Sequence, residues 1–290
     1  MKHLKDLVNE ILSDGMRLDS DGNLVDDASN QDAIVSSAWT KTPMIKQRHG
    51  MAIFPAYTLK KVSANQYNEF SADQQNVIRR AVKHPNSAES TKTVNFYINR
   101  SMYAMKEHLP VDRIHTIIPL ASSSKLNDAI AKKVKTVASD HAQILTDATT
   151  KVTWEDVEVD YDKLGQEAEG NKSLKYLESF ILNKKKNYPN EPFKVSDIKM
   201  SLRRYLKNFI RFNPDMEMDM LRKQITGKNV LIIDDTLEEG VTMNSAYEEI
   251  ASLSPKNIYV YVFLYTDSSA KKRKTPPHYY TDHEKAQFKV

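Results

Sequence analysis

The sequence predicts an α/β fold, a parallel sheet flanked by helices. Three observations predict it. The runs Ile114 to Ile118, Val230 to Ile233 and Ile258 to Tyr265 are apolar with little alternation, as strands buried on both faces are. Between them, apolar residues recur at three- and four-residue spacing, the period of a helix. The composition is that of a chain able to fold, with 290 residues, 40% hydrophobic and 28% charged.

Residues 1–15 read as a short amphipathic helix, with Leu4, Leu7, Val8, Ile11 and Leu12 on one face that suits docking or pairing. Residues 13–47 are polar and carry Asp14-Gly15 and Asp21-Gly22, so loops and short elements are expected there. A strand at Met51 to Leu59 follows, then a helix from Ser71 to about Lys83 opened by a Ser-Ala-Asp cap. Val94, Tyr97, Ile98, Met102, Met105 and Leu109 mark a helix of about five turns that starts near Ser90 and ends at Pro110. After the strand at Ile114 to Ile118 comes a hydroxyl-rich loop, Pro119 to Lys125, and a helix carrying Leu126, Ile130, Val134 and Val137. The last unit is the strand at Val230, a turn, a helix from about Met243 to Leu253 and the strand at Ile258. Residues 1–89 are thus expected to be an N-terminal extension of mixed α/β content, and residues 90–290 the main domain, with a mostly helical insert at about 150–227.

Composition narrows the chemistry. With no cysteine, disulfides, iron-sulfur clusters and cysteine-based zinc sites are excluded, and the eight histidines show no HExxH-type spacing. Any metal is expected to be hard and oxygen-bound. No run approaches the roughly 20 apolar residues of a membrane span and no secretory signal is evident, which points to the cytoplasm and to no membrane partner. A net charge of +4 is too small to argue nucleic-acid binding by itself. Local charge is more telling: residues 152–180 hold eight acidic and three basic residues, and residues 184–211 hold nine basic and two acidic. Ser196 is expected to cap a helix with Ile198, Leu202, Leu206 and Phe209 on one side and Lys199, Arg203, Lys207 and Arg211 on the other. That basic side reads as a solvated face, the favoured reading, or as a cationic wall facing phosphates. The tail has the same two readings, because Lys271 to Lys274 and the nearby Tyr279 and Tyr280 suit a solvated end or a grip on nucleic acid.

Residues 230–242 carry the chemistry. An apolar strand ends in Asp234 and Asp235, passes through a short loop with Gly240, and enters a helix after Thr242. In open α/β sheets the carboxyl ends of strands face the ligand crevice, where two carboxylates can bond paired hydroxyls or organise magnesium. Gly240, one of seven glycines, lets the backbone turn so that amides and a helix start hold an anion. Hydroxyl acceptors beside an anion cradle suit a ribose phosphate. A Rossmann turn would need more glycines than this loop has, and no Walker phosphate loop is present. A receiver domain would need more chain than the 55 residues that follow Asp235.

The stretch VLIIDDTLEEGVT resembles the signature of type I phosphoribosyltransferases, and the resemblance implies that fold. It also implies that Asp234 and Asp235 bind the ribose hydroxyls of phosphoribosyl pyrophosphate (PRPP) and touch Mg2+ through ribose or water. Thr236, Leu237, Glu239, Gly240, Val241 and Thr242 would then wrap the 5′-phosphate. Upstream, Ala121, Ser122, Ser123, Ser124 and Lys125 are similar to the family's pyrophosphate loop; read alone, the serines suit an ordinary helix cap equally well. Glu238 falls where the 6-oxopurine branch has an aspartate near the base, which implies a general base. Glu239 departs from the family's usual hydroxyl residue, and a carboxylate 4 Å from a phosphate charge would be repelled by about 1 kcal/mol even in water. The insert is longer than the family core needs, and Lys199, Arg203 and Lys207 would be the counterpart of its mobile loop. The implied reaction transfers ribose 5-phosphate from PRPP to a nitrogenous base or related acceptor and releases pyrophosphate. Two alternatives stand beside it: a non-catalytic protein of this fold that senses a nucleotide or binds nucleic acid, and a transferase with another sugar-phosphate donor. A homo-oligomer is left open.

Overall fold

A computed structural model of the chain describes residues 16–26, 34–36, 45–46, 51–59, 72–122, 124–162, 172–237 and 240–266. The expected helix at 1–15 and the basic tail lie outside these residues.

The chain opens with a hairpin of β1 (Met16–Leu18) and β2 (Leu24–Asp26). Its turn is shaped by Asp19, whose Oδ1 accepts from the amides of Asp21 and Asn23 at 3.0 and 2.8 Å, while Gly22 takes φ +79°. Two short strands, β3 (Ile34–Ser36) and β4 (Ile45–Lys46), pair antiparallel with β5 (Ala52–Leu59). Helices α1 (Ala72–Lys83) and α2 (Ala88–His108) follow, the second capped by Ser87 Oγ, which accepts from the Ser90 amide. Next come β6 (Thr116–Pro119), α3 (Leu126–Lys135) and β7 (Gln143–Ile144).

The inserted region contains β8 (Thr149–Lys151), β9 (Glu158–Val159), α4 (Lys172–Asn187), β10 (Leu206–Lys207), β11 (Ile210–Phe212) and α5 (Met218–Ile225). The fold closes with β12 (Asn229–Leu237), α6 (Val241–Ala251) and β13 (Asn257–Thr266).

The main sheet has the order β3-β5-β13-β12-β6-β7, with β4 also on β5. Five strands, β5, β13, β12, β6 and β7, run parallel. Successive side chains of a strand point to opposite faces, so each central strand feeds two cores. Leu231, Ile233, Tyr259, Tyr261 and Phe263 pack on the face covered by α1, α2 and α3, with Val82, Tyr97, Met105 and Ile130. Val230, Ile232, Val260 and Val262 pack on the other face, against Met243 and Ile250 of α6, Leu221 of α5 and the insert's Trp154, Phe193 and Phe209. Strand β5 lies before residue 90, yet it is bonded along its length to β13.

The insert differs from expectation at one point. No long helix starts at Ser196. Instead, 3-10 turns at Val195–Asp197 and Met200–Tyr205 lead into β10 and β11, which pair antiparallel with β9 and β8. The apolar residues of the expected helix are all buried, with Ile198, Leu202, Leu206 and Phe209 in the second core. At the C-terminal end of this stretch the chain can run extended because side chains of α6 offer partners for its backbone. Ser245 Oγ accepts from the amides of Phe209 and Ile210 at 3.0 and 2.9 Å, and Glu249 Oε1 accepts from the Phe212 amide at 2.7 Å. Buried amides that would otherwise lack partners are thereby satisfied.

Candidate functional site

The ends of β6 and β12 create the site. They pair in register from Thr116↔Val230 to Pro119↔Ile233, and the Leu120 amide donates to the Ile233 carbonyl at 2.9 Å. Just beyond, β6 turns away toward α3 and β7 on one side, while β12 leads through α6 to β13 on the other. Connections that diverge in this way open a crevice at the carboxyl ends of the strands. Asp234 and Asp235 stand on one wall and the 120–125 loop on the other. Strand β12 runs on past the pair to Leu237, paired with Tyr265, so it ends two residues beyond Asp235 and not at the carboxylates.

Asp235 is 2% exposed and bonded on both oxygens. Its Oδ2 accepts from Ser122 Oγ at 2.8 Å and Ser124 Oγ at 3.3 Å. Its Oδ1 accepts from Thr236 Oγ1 at 3.0 Å and pairs with Lys83 Nζ at 2.8 Å. Asp234, 9% exposed, accepts the Asp235 amide at 2.9 Å. Burial, followed by the neighbouring Asp235 charge, pushes the Asp234 carboxyl up to about 7. Lys83, the Asp235 amide and the side chain of Asn127 pull the other way. Asn127 is itself buried, and its Nδ2 donates to the Leu120 carbonyl at 2.8 Å.

Gly240 sits at φ +74°, ψ 8°, in the left-handed region, as the residue before α6. An L side chain there would cost about 1–2 kcal/mol, so glycine is what allows the sharp turn from β12 into the helix. Val241 and Thr242 are half-buried in the first turn of α6, whereas Leu237 is buried in the second core and would reach a ligand only by backbone. Ala121 is half-buried and Lys125 exposed in the loop. Ser123, Glu238 and Glu239 lie outside the described residues.

The basic residues of the insert do not form one wall. Lys199 lies 5.6 Å from the Tyr176 ring centre, Arg203 Nε donates to the Ile198 carbonyl at 3.0 Å, and Arg211 pairs with Asp156 at 2.7 Å. Lys207 lines a groove with Glu158, Tyr161, Glu178 and Lys185. A four-residue repeat shares a face only on a helix, and this stretch is 3-10 turn and strand. Tyr265, at the end of β13 beside Leu237, is buried in the second core. Lys83 carried no motif; its only sequence signal was its place at the end of an expected helix.

The donor set suits a hard cation held indirectly. Every ligating group is oxygen, and Asn127 Oδ1 is a buried acceptor without a donor beside Asp234. Among the described residues no three His, Cys, Asp or Glu side chains gather to hold a metal, so magnesium would reach the pair through ligand hydroxyls or water.

Residues 172–289 match the family model of the phosphoribosyl transferase domain. The matched segment contains the stretch from Val230 to Thr242, with the acidic pair and Gly240. Among solved structures, the chain is similar to a hypoxanthine-guanine phosphoribosyltransferase from Bacillus anthracis. The two share 12% identity with a TM-score of 0.30, over 64% of this chain and 74% of that one. Leishmania donovani UMP synthase is similar at 13% identity and a TM-score of 0.28, over 82% of this chain and 30% of that one. No curated protein matches the chain. Among the described residues, no helix is long and apolar enough to cross a membrane.

Proposed function

We propose that the protein transfers ribose 5-phosphate from PRPP to a nitrogenous base or related acceptor and releases pyrophosphate. The observation that carries this reading is the meeting of Asp235, with Asp234 beside it, and the serines of the 120–125 loop at the diverging ends of β6 and β12, in a chain whose residues 172–289 match the phosphoribosyl transferase domain model. Asp234 and Asp235 orient the ribose through its hydroxyls, and the turn at Gly240 with the start of α6 holds the 5′-phosphate. Ser122, Ser124 and their loop hold the departing pyrophosphate, where negative charge grows as the bond at C1′ breaks. Glu238 takes the proton of the incoming nitrogen. Magnesium, when bound, supplies positive charge to the pyrophosphate. The transferase unit is residues 90–290, with β5 and α1 built onto its sheet, and it works in the cytoplasm.

The reading is tested by magnesium-dependent release of pyrophosphate from PRPP across a panel of purine and pyrimidine bases. At least one base should support release, and Asp235→Asn should lower it by about a hundredfold or more. A folded protein that releases pyrophosphate with no base in the panel would contradict the nucleobase acceptor.

A further inference from the structure

Lys83 touches the acidic pair from outside the matched residues 172–289 and belongs to no motif. It ends α1, whose Ile78 and Val82 are buried in the first core, so the helix end is anchored and delivers the ammonium to a set place. Its Nζ lies 2.8 Å from Asp235 Oδ1, while its side chain keeps 29% exposure against 2% for Asp235. An ammonium has three N–H donors, and Asp235 occupies one. Among the described residues, Lys83 is the only cationic side chain in contact with the pair.

Two adjacent buried carboxylates repel an anionic ligand, and serine hydroxyls supply donors but no charge. A lysine on the edge of the pair neutralises one carboxylate and still has donors for an oxyanion. On the reading of the site as a sugar-phosphate pocket, we propose that Lys83 is a further binding and positioning residue. Its ammonium stays on Asp235, fixes that carboxylate, and turns its other N–H groups to the phosphate oxygens of the ligand. Helix α1, from before residue 90, thereby completes the pocket.

The test is titration calorimetry of the full chain with PRPP and magnesium for the wild type, Lys83→Met and Lys83→Arg, with thermal melts to verify folding. Lys83→Met should bind about tenfold or more weakly, and Lys83→Arg should recover to within about threefold of the wild type. A Lys83→Met protein that binds like the wild type, or a Lys83→Arg protein as weak as Lys83→Met, would overturn the assignment. If the folded wild type gives no heat with PRPP, the donor reading fails on its own. Inorganic pyrophosphate with magnesium then decides on Lys83: binding that weakens in Lys83→Met supports it, and equal or absent binding overturns it.

Discussion

The end of β12 and the stretch from Lys199 to Arg211 are both dense in charge, yet they come out differently. At the end of β12 the charges converge, because parallel pairing of β6 and β12 to Pro119↔Ile233 leaves the next residues of both strands facing one crevice. In the insert the charges disperse, with Lys199 on a tyrosine ring, Arg203 on a backbone carbonyl and Arg211 on Asp156. A site made by sheet topology survives errors in element boundaries. One inferred from a helical repeat does not survive the loss of the helix.

If the insert is held by its apolar core and the site by its charges, core truncation should cost the most stability. Trp154 is 1% exposed, with Phe193 and Phe180 at ring distances of 4.9 and 5.9 Å, and Trp154→Ala should cost about 3–5 kcal/mol in urea unfolding. A loss below about 1 kcal/mol would mean that the insert packs less firmly than its burial indicates.

The site sharpens the contrast through pH. The folded Asp234 keeps its proton to about 7, whereas an unfolded aspartate loses it near 3.9. Between these values the folded state binds more protons, so stability is full below the lower value and falls as pH rises through the upper one. The wild type should therefore be less stable at pH 8 than at pH 5, by an amount on the order of a few kcal/mol at most, and Asp234→Asn should flatten that fall. An equal fall in both proteins would assign it to another group.

The smallest effect is expected in the insert's surface charges. Arg211 and Asp156 are both about 40% exposed, and Arg211→Ala should cost about 0–1 kcal/mol and leave PRPP binding within about twofold. Loss of binding in that variant would restore the cationic wall.

The sheet was legible because apolar runs such as Val230 to Ile233 mark strands buried on both faces, and the acidic pair because its spacing to Gly240 is local. The strands of the insert were not, since two- and three-residue strands have no period to detect and are held by Ser245 and Glu249, which lie far along the chain. Lys83 was hidden for a related reason: its partner is 152 residues away, and nothing beside it in sequence distinguishes it from a lysine at any helix end.

The central claim is tested most directly by calorimetry of the wild type and of Asp234→Asn/Asp235→Asn with PRPP and magnesium. Micromolar binding by the wild type that is lost in the double variant, with both proteins folded, is the expected result. Binding of equal strength in both proteins would contradict the account, because it would put the sugar phosphate somewhere other than the shared end of β6 and β12.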